Sequence, residues 1–108
     1  MPFYDFNNMD YKMKRERVSI KTITGKRSQL CLIKLETGEI TNHRHVQEQI
    51  GYVLSGRVDI TIGEDTKTLG SGEGYYIPGN VPHGFSVNHD EPVEYIEIFC
   101  PPKKENVM

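Results

Sequence analysis

The chain contains 108 residues, with 13 Lys or Arg against 15 Asp or Glu, and its formal net charge is −2. This balance gives no basic field for a nucleic-acid partner, and the longest apolar run, residues 30–33, is far shorter than the roughly 20 residues of a membrane helix. A hydrophobic content of 36% is enough for one small core, so we expect a single domain over residues 1–108.

Several segments are rich in Val, Ile, Tyr and Thr and lie near turn residues, a pattern typical of β-strands. The predicted strands are residues 18–23, 29–35, 50–54, 57–62, 74–77, 85–87 and 93–99. Apolar and polar side chains alternate strictly in the fourth of these, so Val58, Ile60 and Ile62 share one buried face. No helix is predicted. The sequence therefore predicts an all-β fold, either a closed barrel or a two-sheet sandwich, because open sheet edges promote aggregation.

The two ends of the chain differ from this strand-rich centre. Residues 1–13 carry aromatic side chains among polar ones and are predicted to form an N-terminal arm that packs on its own barrel or on a partner's. Residues 101–108 begin with two prolines and form a polar tail that cannot continue a strand. The N-terminus has no basic region followed by a long apolar core, so a secretory signal is not expected.

The number and spacing of the cysteines indicate the cellular compartment in which the protein is expected. Cys31 and Cys100 are far apart in the sequence and match neither a redox pair nor a disulfide scaffold. We therefore expect a cytoplasmic protein in which both thiols are reduced and buried.

Three of the four histidines lie beside turn residues in two compact stretches. Side chains at positions i and i+2 of a strand face the same way, so His43 and His45 can present two imidazoles to one point. Gln49 has the same parity, whereas Glu48 would face away if the strand were continuous. We favour Gln49 over Glu48 as a further ligand, and His83 would supply a third imidazole from a distant strand.

With their surrounding glycines, these residues resemble the metal-binding motifs of the cupins. The first motif reads Gly38, His43, His45, Gln49 and Gly56, in which Gln49 replaces the usual glutamate. The resemblance implies a single-domain cupin, a double-stranded β-helix or jelly-roll barrel, whose motifs cover residues 38–87. It also implies a metal site formed by the two histidines and Gln49 together with His83.

The second motif is carried by Gly72, Pro78 and His83. Asn80 replaces a common glycine and Val87 a common asparagine. The spacer between the two motifs is short, as in small microbial cupins. The match is specific for the fold and the metal site, whereas the cupin superfamily includes many different reactions.

Gln49 is the most informative departure from the cupin pattern. Three neutral imidazoles and a neutral amide leave the charge of a divalent metal uncompensated, so the centre should attract an anionic ligand and act as a Lewis acid. Such a ligand set suits Zn, Ni, Fe, Mn or Cu, and the sequence does not choose among them.

Residues 43–57 more narrowly resemble the small cupins of pectin degradation, which promote conversion of 4,5-unsaturated monouronates to linear keto sugars. Glu97, Phe99 and Lys103 can be aligned with that family's catalytic pattern, with Glu and Lys replacing its more frequent Asp and Arg. The resemblance implies an enzyme for a small acidic sugar or keto acid. In it Glu97 would move a proton, Phe99 would shape the pocket and Lys103 would offset a carboxylate.

Several alternatives remain open at this point. A dioxygenase or a polyketide cyclase could use the same four ligands, and a sugar- or metal-binding module would have the site without a catalytic base. Glu97 could also be a strand residue that faces water, and His83 could simply cap a turn. Small cupins commonly pair, so the resemblance also implies a homodimer.

Overall fold

The regular secondary structure of the described residues is almost entirely antiparallel strand. The computed structural model describes residues 3–108, so residues 1 and 2 of the predicted arm lie outside the described part. In chain order the strands are β1 (Lys12–Arg15), β2 (Val18–Thr24), β3 (Gln29–Leu35), β4 (Ile40–His43), β5 (Glu48–Ser55), β6 (Val58–Ile62), β7 (Asp65–Leu69), β8 (Gly74–Ile77), β9 (His83–Ser86) and β10 (Val93–Cys100). Single-turn 3-10 helices lie at Phe6–Asn8 and Lys104–Asn106.

The strands form two sheets that face each other. The larger has six strands in the order β1-β2-β3-β10-β5-β8, and the smaller has four in the order β4-β9-β6-β7. The prediction of an all-β, two-sheet fold is therefore confirmed. No helix among residues 3–108 is long and apolar enough to cross a membrane.

Every predicted strand is present, but β1, β4 and β7 were not predicted. All three lie at sheet edges, and most of their side chains are exposed. A strand with no buried face has no alternation of apolar and polar residues, so its sequence resembles a loop. The hydrophobic pattern therefore located the core strands and the edge strand β8, and missed the other three edge strands.

The core lies between the two sheets. Val58 and Ile60 are buried as predicted, and they pack in one cluster with side chains from the larger sheet such as Ile20, Leu35 and Tyr95. Burying a side chain of this size stabilises the fold by about 1.5–3 kcal/mol relative to leaving it exposed.

The two thiols differ in their environments. Cys31 is fully buried on the inner face of β3, as predicted, whereas Cys100 is exposed. The prediction that both are buried is therefore wrong for Cys100. Burial on β10 alternates, and Cys100 belongs to the outward set, whereas Phe99 before it belongs to the inward set.

Parts of the N-terminal arm and of the C-terminal tail pack on the barrel, whereas Phe3 and Tyr4 of the arm are exposed. Strand β1 pairs with β2 of the same chain, and Lys21 donates a hydrogen bond to the carbonyl of Phe6 at 2.7 Å. The C-terminal tail folds back, because Gln29 donates to the carbonyl of Lys103 at 3.0 Å and accepts from its backbone N–H at 3.3 Å. Lys103 and Asn106 are consequently buried, whereas only a polar tail was predicted.

Candidate metal centre

Two of the three clustered imidazoles come from adjacent strands of the smaller sheet. His43 is the last residue of β4 and His83 is the first residue of β9, and the two lie directly opposite each other in the antiparallel register. Side chains opposite each other on one face of such a pair have Cβ atoms about 4.5–5.5 Å apart. The sheet register therefore brings together two histidines that are distant in the sequence.

His45 lies in the loop after β4, so strand alternation alone does not place it. The turn before β9 holds this loop: the backbone N–H of Asn80 donates to the carbonyl of His45 at 2.7 Å. Asn80 has φ +65°, a left-handed conformation that asparagine tolerates better than most residues. This conformation explains how asparagine can replace the glycine common at this position.

The three imidazoles form a compact cluster. Ring centroids of His43 and His83 are 4.4 Å apart, and those of His45 are 4.8 Å from each of the others. One ring nitrogen from each residue lies within 4.8 Å of the others, and this cluster could hold a metal ion. Imidazole nitrogens are common ligands of divalent transition metals.

The hydrogen bonds of His45 and His83 determine which nitrogen of each ring has a free lone pair. Nδ1 of His45 lies 2.9 Å from the carbonyl of Gln47, and Nδ1 of His83 lies 2.9 Å from the carbonyl of Val81. A carbonyl only accepts, so each Nδ1 carries the proton and each Nε2 keeps its lone pair. Both Nε2 atoms are buried without a hydrogen-bond partner in the described structure. Metal-binding histidines typically donate their other ring N–H to a backbone carbonyl in this way, which fixes the tautomer.

Gln49 extends this cluster from the larger sheet. The residue lies on the inner face of β5 and is 2% exposed, whereas Glu48 points outward, as strand parity predicted. Its Oε1 is buried without a partner among residues 3–108, and its Nε2 donates to Glu97. An unpartnered buried acceptor is costly, and a cation beside it would remove that cost.

The pKa of each of the three imidazoles is lowered, which favours the neutral form. Burial is the largest cause lowering the pKa of each, and it brings the pKa of His43 to about 3 with help from Lys103 and the other two rings. Lys103 also lowers the pKa of His45, while the carbonyl of Gln47 and the amide of Gln49 oppose the shift. For His83 the carbonyl of Val81 opposes the lowering. Neutral imidazoles are the form that binds metal.

Glu97 is a buried carboxyl next to this cluster. It is 3% exposed, and its Oε2 accepts hydrogen bonds from Nε2 of Gln49 and from the hydroxyl of Tyr75. Burial raises the pKa of Glu97 to about 7, while the two hydrogen bonds and Lys103 act in the opposite direction. The expectation that Glu97 might face water is therefore wrong, because Tyr95, Glu97 and Phe99 form the inward set of β10.

Phe99 and Lys103 line the other side of the cluster. The ring centroid of Phe99 lies 6.0 Å from that of His45, and Nζ of Lys103 lies 5.3 Å from the centre of the Phe99 ring. Burial and the nearby Lys14 lower the pKa of Lys103, while Glu105, whose carboxylate is 3.5 Å away, opposes the shift.

These side chains border one cavity between the sheets. His43, Gln49, Glu97, Phe99 and Lys103 all line it. The fold thus brings every residue predicted for the site into one region, with His45 and His83 beside His43.

Sequence reasoning missed other residues that line or support the cavity. Lys14 and Arg15 of β1 reach the same space. Arg15 forms an ion pair with the buried Glu39 at 2.7 Å. Tyr75 was missed too, although Gly51 offered a signal: glycine inside a strand often marks a close approach, and a Cβ at Gly51 would collide with the Tyr75 ring.

Comparison with known families agrees with this geometry. A family model described as the Cupin domain matches residues 31–99, which is more than half of the chain. The chain belongs to the cupins. The expected cupin barrel is thereby confirmed.

Individual relatives are more distant. A segment of 57 residues, 52% of the chain, is 42% identical to an H2HPP isomerase of Bacillus subtilis, and the match spans only 24% of that protein. The structure of KdgF from Halomonas sp. superposes with a TM-score of 0.90 at 20% identity, covering 99% of both chains. The polyketide cyclase RemF from Streptomyces resistomycificus superposes with a TM-score of 0.82 at 20% identity, covering 96% of this chain and 83% of that one. Likeness at this level of identity establishes the fold alone.

Proposed function

We propose that this cupin is a metal-dependent enzyme in which His43, His45, Gln49 and His83 hold one divalent transition metal, one of Zn, Ni, Fe, Mn or Cu. The observation that carries the proposal is the convergence of ligand atoms without partners. Nε2 of His45, Nε2 of His83 and Oε1 of Gln49 are all buried and unpaired within residues 3–108. Native proteins leave few buried polar atoms unpaired, so a group of them at one point requires an explanation.

The charge of the site selects the kind of substrate. None of the four proposed ligands is negative, so a bound divalent cation keeps its full charge and supplies a Lewis acid for a substrate oxygen. Lys103 adds a positive charge in the same cavity, and Lys14 and Arg15 border it. We therefore infer that the substrate is a small anion.

Glu97 is the proposed proton carrier. Its hydrogen bonds with Tyr75 and Gln49 both go to Oε2, which leaves Oε1 for the substrate. A carboxyl next to the reacting atoms can take a proton from one of them and return it to another. Phe99 forms an apolar wall of the cavity, and Lys103 pairs with a substrate carboxylate.

The reaction class we propose is proton transfer on an acidic sugar or keto acid, including ring opening of 4,5-unsaturated monouronates. This choice is supported by the resemblance of residues 43–57 to the pectin-degradation cupins and by the fold shared with KdgF. The partial match to a protein named as an isomerase is in keeping with proton relocation without a change of oxidation state.

The test is to incubate the metal-loaded protein with unsaturated galacturonate and to follow loss of the cyclic form by NMR. We expect acceleration over buffer, and we expect Glu97→Gln to keep substrate binding while turnover is lost. A protein with bound metal that gives no acceleration would contradict the proposed reaction.

A second candidate is cyclisation of a polyketide, favoured by the fold shared with the polyketide cyclase RemF. A cyclase would turn over an uncharged polyketide and gain nothing from Lys103. An oxygenase with the same ligands would consume dissolved oxygen, and a binding module would retain ligand affinity in wild type without any turnover.

A further inference from the structure

Position 49 is glutamine in this chain although glutamate is usual there. We propose that Glu97, held by Tyr75, is the reason: it binds the amide nitrogen of Gln49 and so turns Oε1 of Gln49 toward the three imidazoles. Glu97 and Tyr75 are thus positioning residues for the metal ligand. This inference rests on the metal site proposed above.

The hydrogen bonds of the Glu97 carboxylate select one orientation of the amide. The two ends of a glutamine amide have nearly the same shape, so packing does not distinguish them and a partner must. Oε2 of Glu97 receives hydrogen bonds from the Tyr75 hydroxyl and from Nε2 of Gln49. A carboxylate oxygen only accepts, so it selects the amide nitrogen and leaves Oε1 of Gln49 on the opposite side. That oxygen is the buried one without a partner in the described structure.

The register of three strands creates this arrangement. Glu97 of β10 lies opposite Gly51 of β5, and Gly51 lies opposite Tyr75 of β8. Because Gly51 has no side chain, Tyr75 reaches across β5 to Glu97, and a Cβ at Gly51 would occupy the space of the Tyr75 ring. Gln49 lies two residues before Gly51 and therefore points to the same inner face.

A glutamate at position 49 would conflict with this network. It has no N–H to donate, so two carboxylates would face each other in a buried site, and one of them would have to be protonated. In this chain the carboxyl group is at position 97, where it contacts the amide of Gln49, and the proposed ligand itself is a neutral amide. The identities of residues 49 and 97 are therefore coupled.

The first experiment measures the affinity for Zn²⁺ by competition with a chromophoric chelator. In Glu97→Leu the acceptor is lost, and we expect affinity to fall about 10- to 100-fold, as for loss of other outer-shell partners. In Glu97→Gln the amide oxygen can still accept both hydrogens, so affinity should stay within about threefold of wild type. Tyr75→Phe should give a smaller loss than Glu97→Leu.

The outer face of the same sheet supplies a matched control. Tyr76 donates to Glu48 at 3.1 Å, also between β8 and β5 but facing away from the cavity. Tyr76→Phe should leave Zn²⁺ affinity unchanged. Wild-type affinity in both Glu97→Leu and Tyr75→Phe would overturn the inference.

The second experiment is independent of metal. We expect Gln49→Glu to lower the unfolding temperature of the metal-free protein by about 5 °C or more. The buried hydrogen bond from Gln49 to Glu97 is then replaced by a contact between two carboxyl groups. The exchanged double variant, Gln49→Glu with Glu97→Gln, restores one donor and one acceptor and should recover most of that loss. A double variant no more stable than Gln49→Glu alone would overturn the coupling. If the wild-type protein bound no divalent ion, the proposed function would be contradicted. The comparison of unfolding temperatures would still test the coupling of residues 49 and 97.

Discussion

Lys103 is the residue whose charge most directly links the cavity to an anionic substrate. It is buried, lies over the Phe99 ring and is held in place through its backbone by Gln29. Lys103→Met keeps the length of the side chain and removes the charge. We expect KM for an acidic sugar to rise about tenfold, the equivalent of 1.4 kcal/mol, with a smaller change in kcat.

Steady-state kinetics at low and high salt check this prediction. Lys104→Met is the matched control, because Lys104 is the neighbouring lysine and is exposed. An unchanged KM in Lys103→Met, or an equal effect in Lys104→Met, would exclude Lys103 from substrate binding.

The reactivities of the two cysteine thiols provide a separate test of the burial of single residues. Burial raises the pKa of Cys31 to about 11, so at neutral pH its reactive thiolate is scarce as well as inaccessible. Cys100 is exposed. We expect iodoacetamide to modify one thiol per native chain and two after unfolding, as counted by mass spectrometry. Rapid modification of both thiols in the native protein would contradict the packing of β3.

The sequence predicts the proposed metal ligands better than it predicts the other residues that surround them. His43, His45, Gln49 and His83 were identifiable because their spacing follows a known motif. Tyr75 was not identifiable in this way, since its contact with Glu97 depends on the register of three strands. Lys14 and Arg15 were missed for a related reason: they belong to an exposed edge strand with no hydrophobic pattern.

The turn between β8 and β9 positions one of the proposed ligands, His45. A Cβ at Gly79 would approach the carbonyl of Val46, one residue after His45. Gly79→Ala should therefore displace the loop and lower metal affinity about tenfold or more, because ligand geometry is held by such contacts.

Metal titration of Gly79→Ala tests this role of the turn, with circular dichroism to check that the fold remains. Gly70→Ala is the control, since a Cβ there meets only ordinary contacts at 3.6 Å or more. Equal affinity in the two variants would show that the turn does not hold His45.

Strand prediction succeeded for elements with a buried face and failed for three of the four edge strands, since only β8 was predicted among them. Residues 57–62 alternate in sequence, and β6 indeed buries Val58 and Ile60. Strand β7, in contrast, has a single buried residue, Leu69, and its other side chains are polar. The C-terminal tail was also unpredictable, because its position depends on the hydrogen bonds of Gln29 and on the buried Asn106.

The outer face of the larger sheet carries an exposed apolar patch. Ile98 lies opposite Ile50, which lies opposite Tyr76, and these three side chains are 43%, 50% and 52% exposed. Tyr52 extends the patch along β5. Contiguous exposed apolar surface commonly marks an interface. We propose that a second copy of the chain covers this face, giving the homodimer that the family resemblance implies.

Light scattering after size exclusion tests the dimer. We expect twice the chain mass of 12.4 kDa for wild type and a shift toward monomer for Ile50→Lys. Ile40→Lys is the control, because Ile40 is 67% exposed but lies on β4 of the other sheet. A monomeric wild type at all concentrations would contradict the proposal, and an Ile50→Lys dimer would place the interface elsewhere.

Metal content decides whether the four proposed ligands form a metal centre. Protein isolated without added metal, analysed by inductively coupled plasma mass spectrometry, should hold close to one divalent transition metal per chain. The double variant His43→Ala, His83→Ala should hold little or none and keep its strand content, because both residues lie at strand ends rather than in the apolar core. A wild-type chain that takes up no divalent ion, or a double variant that retains it fully, would contradict the proposed centre.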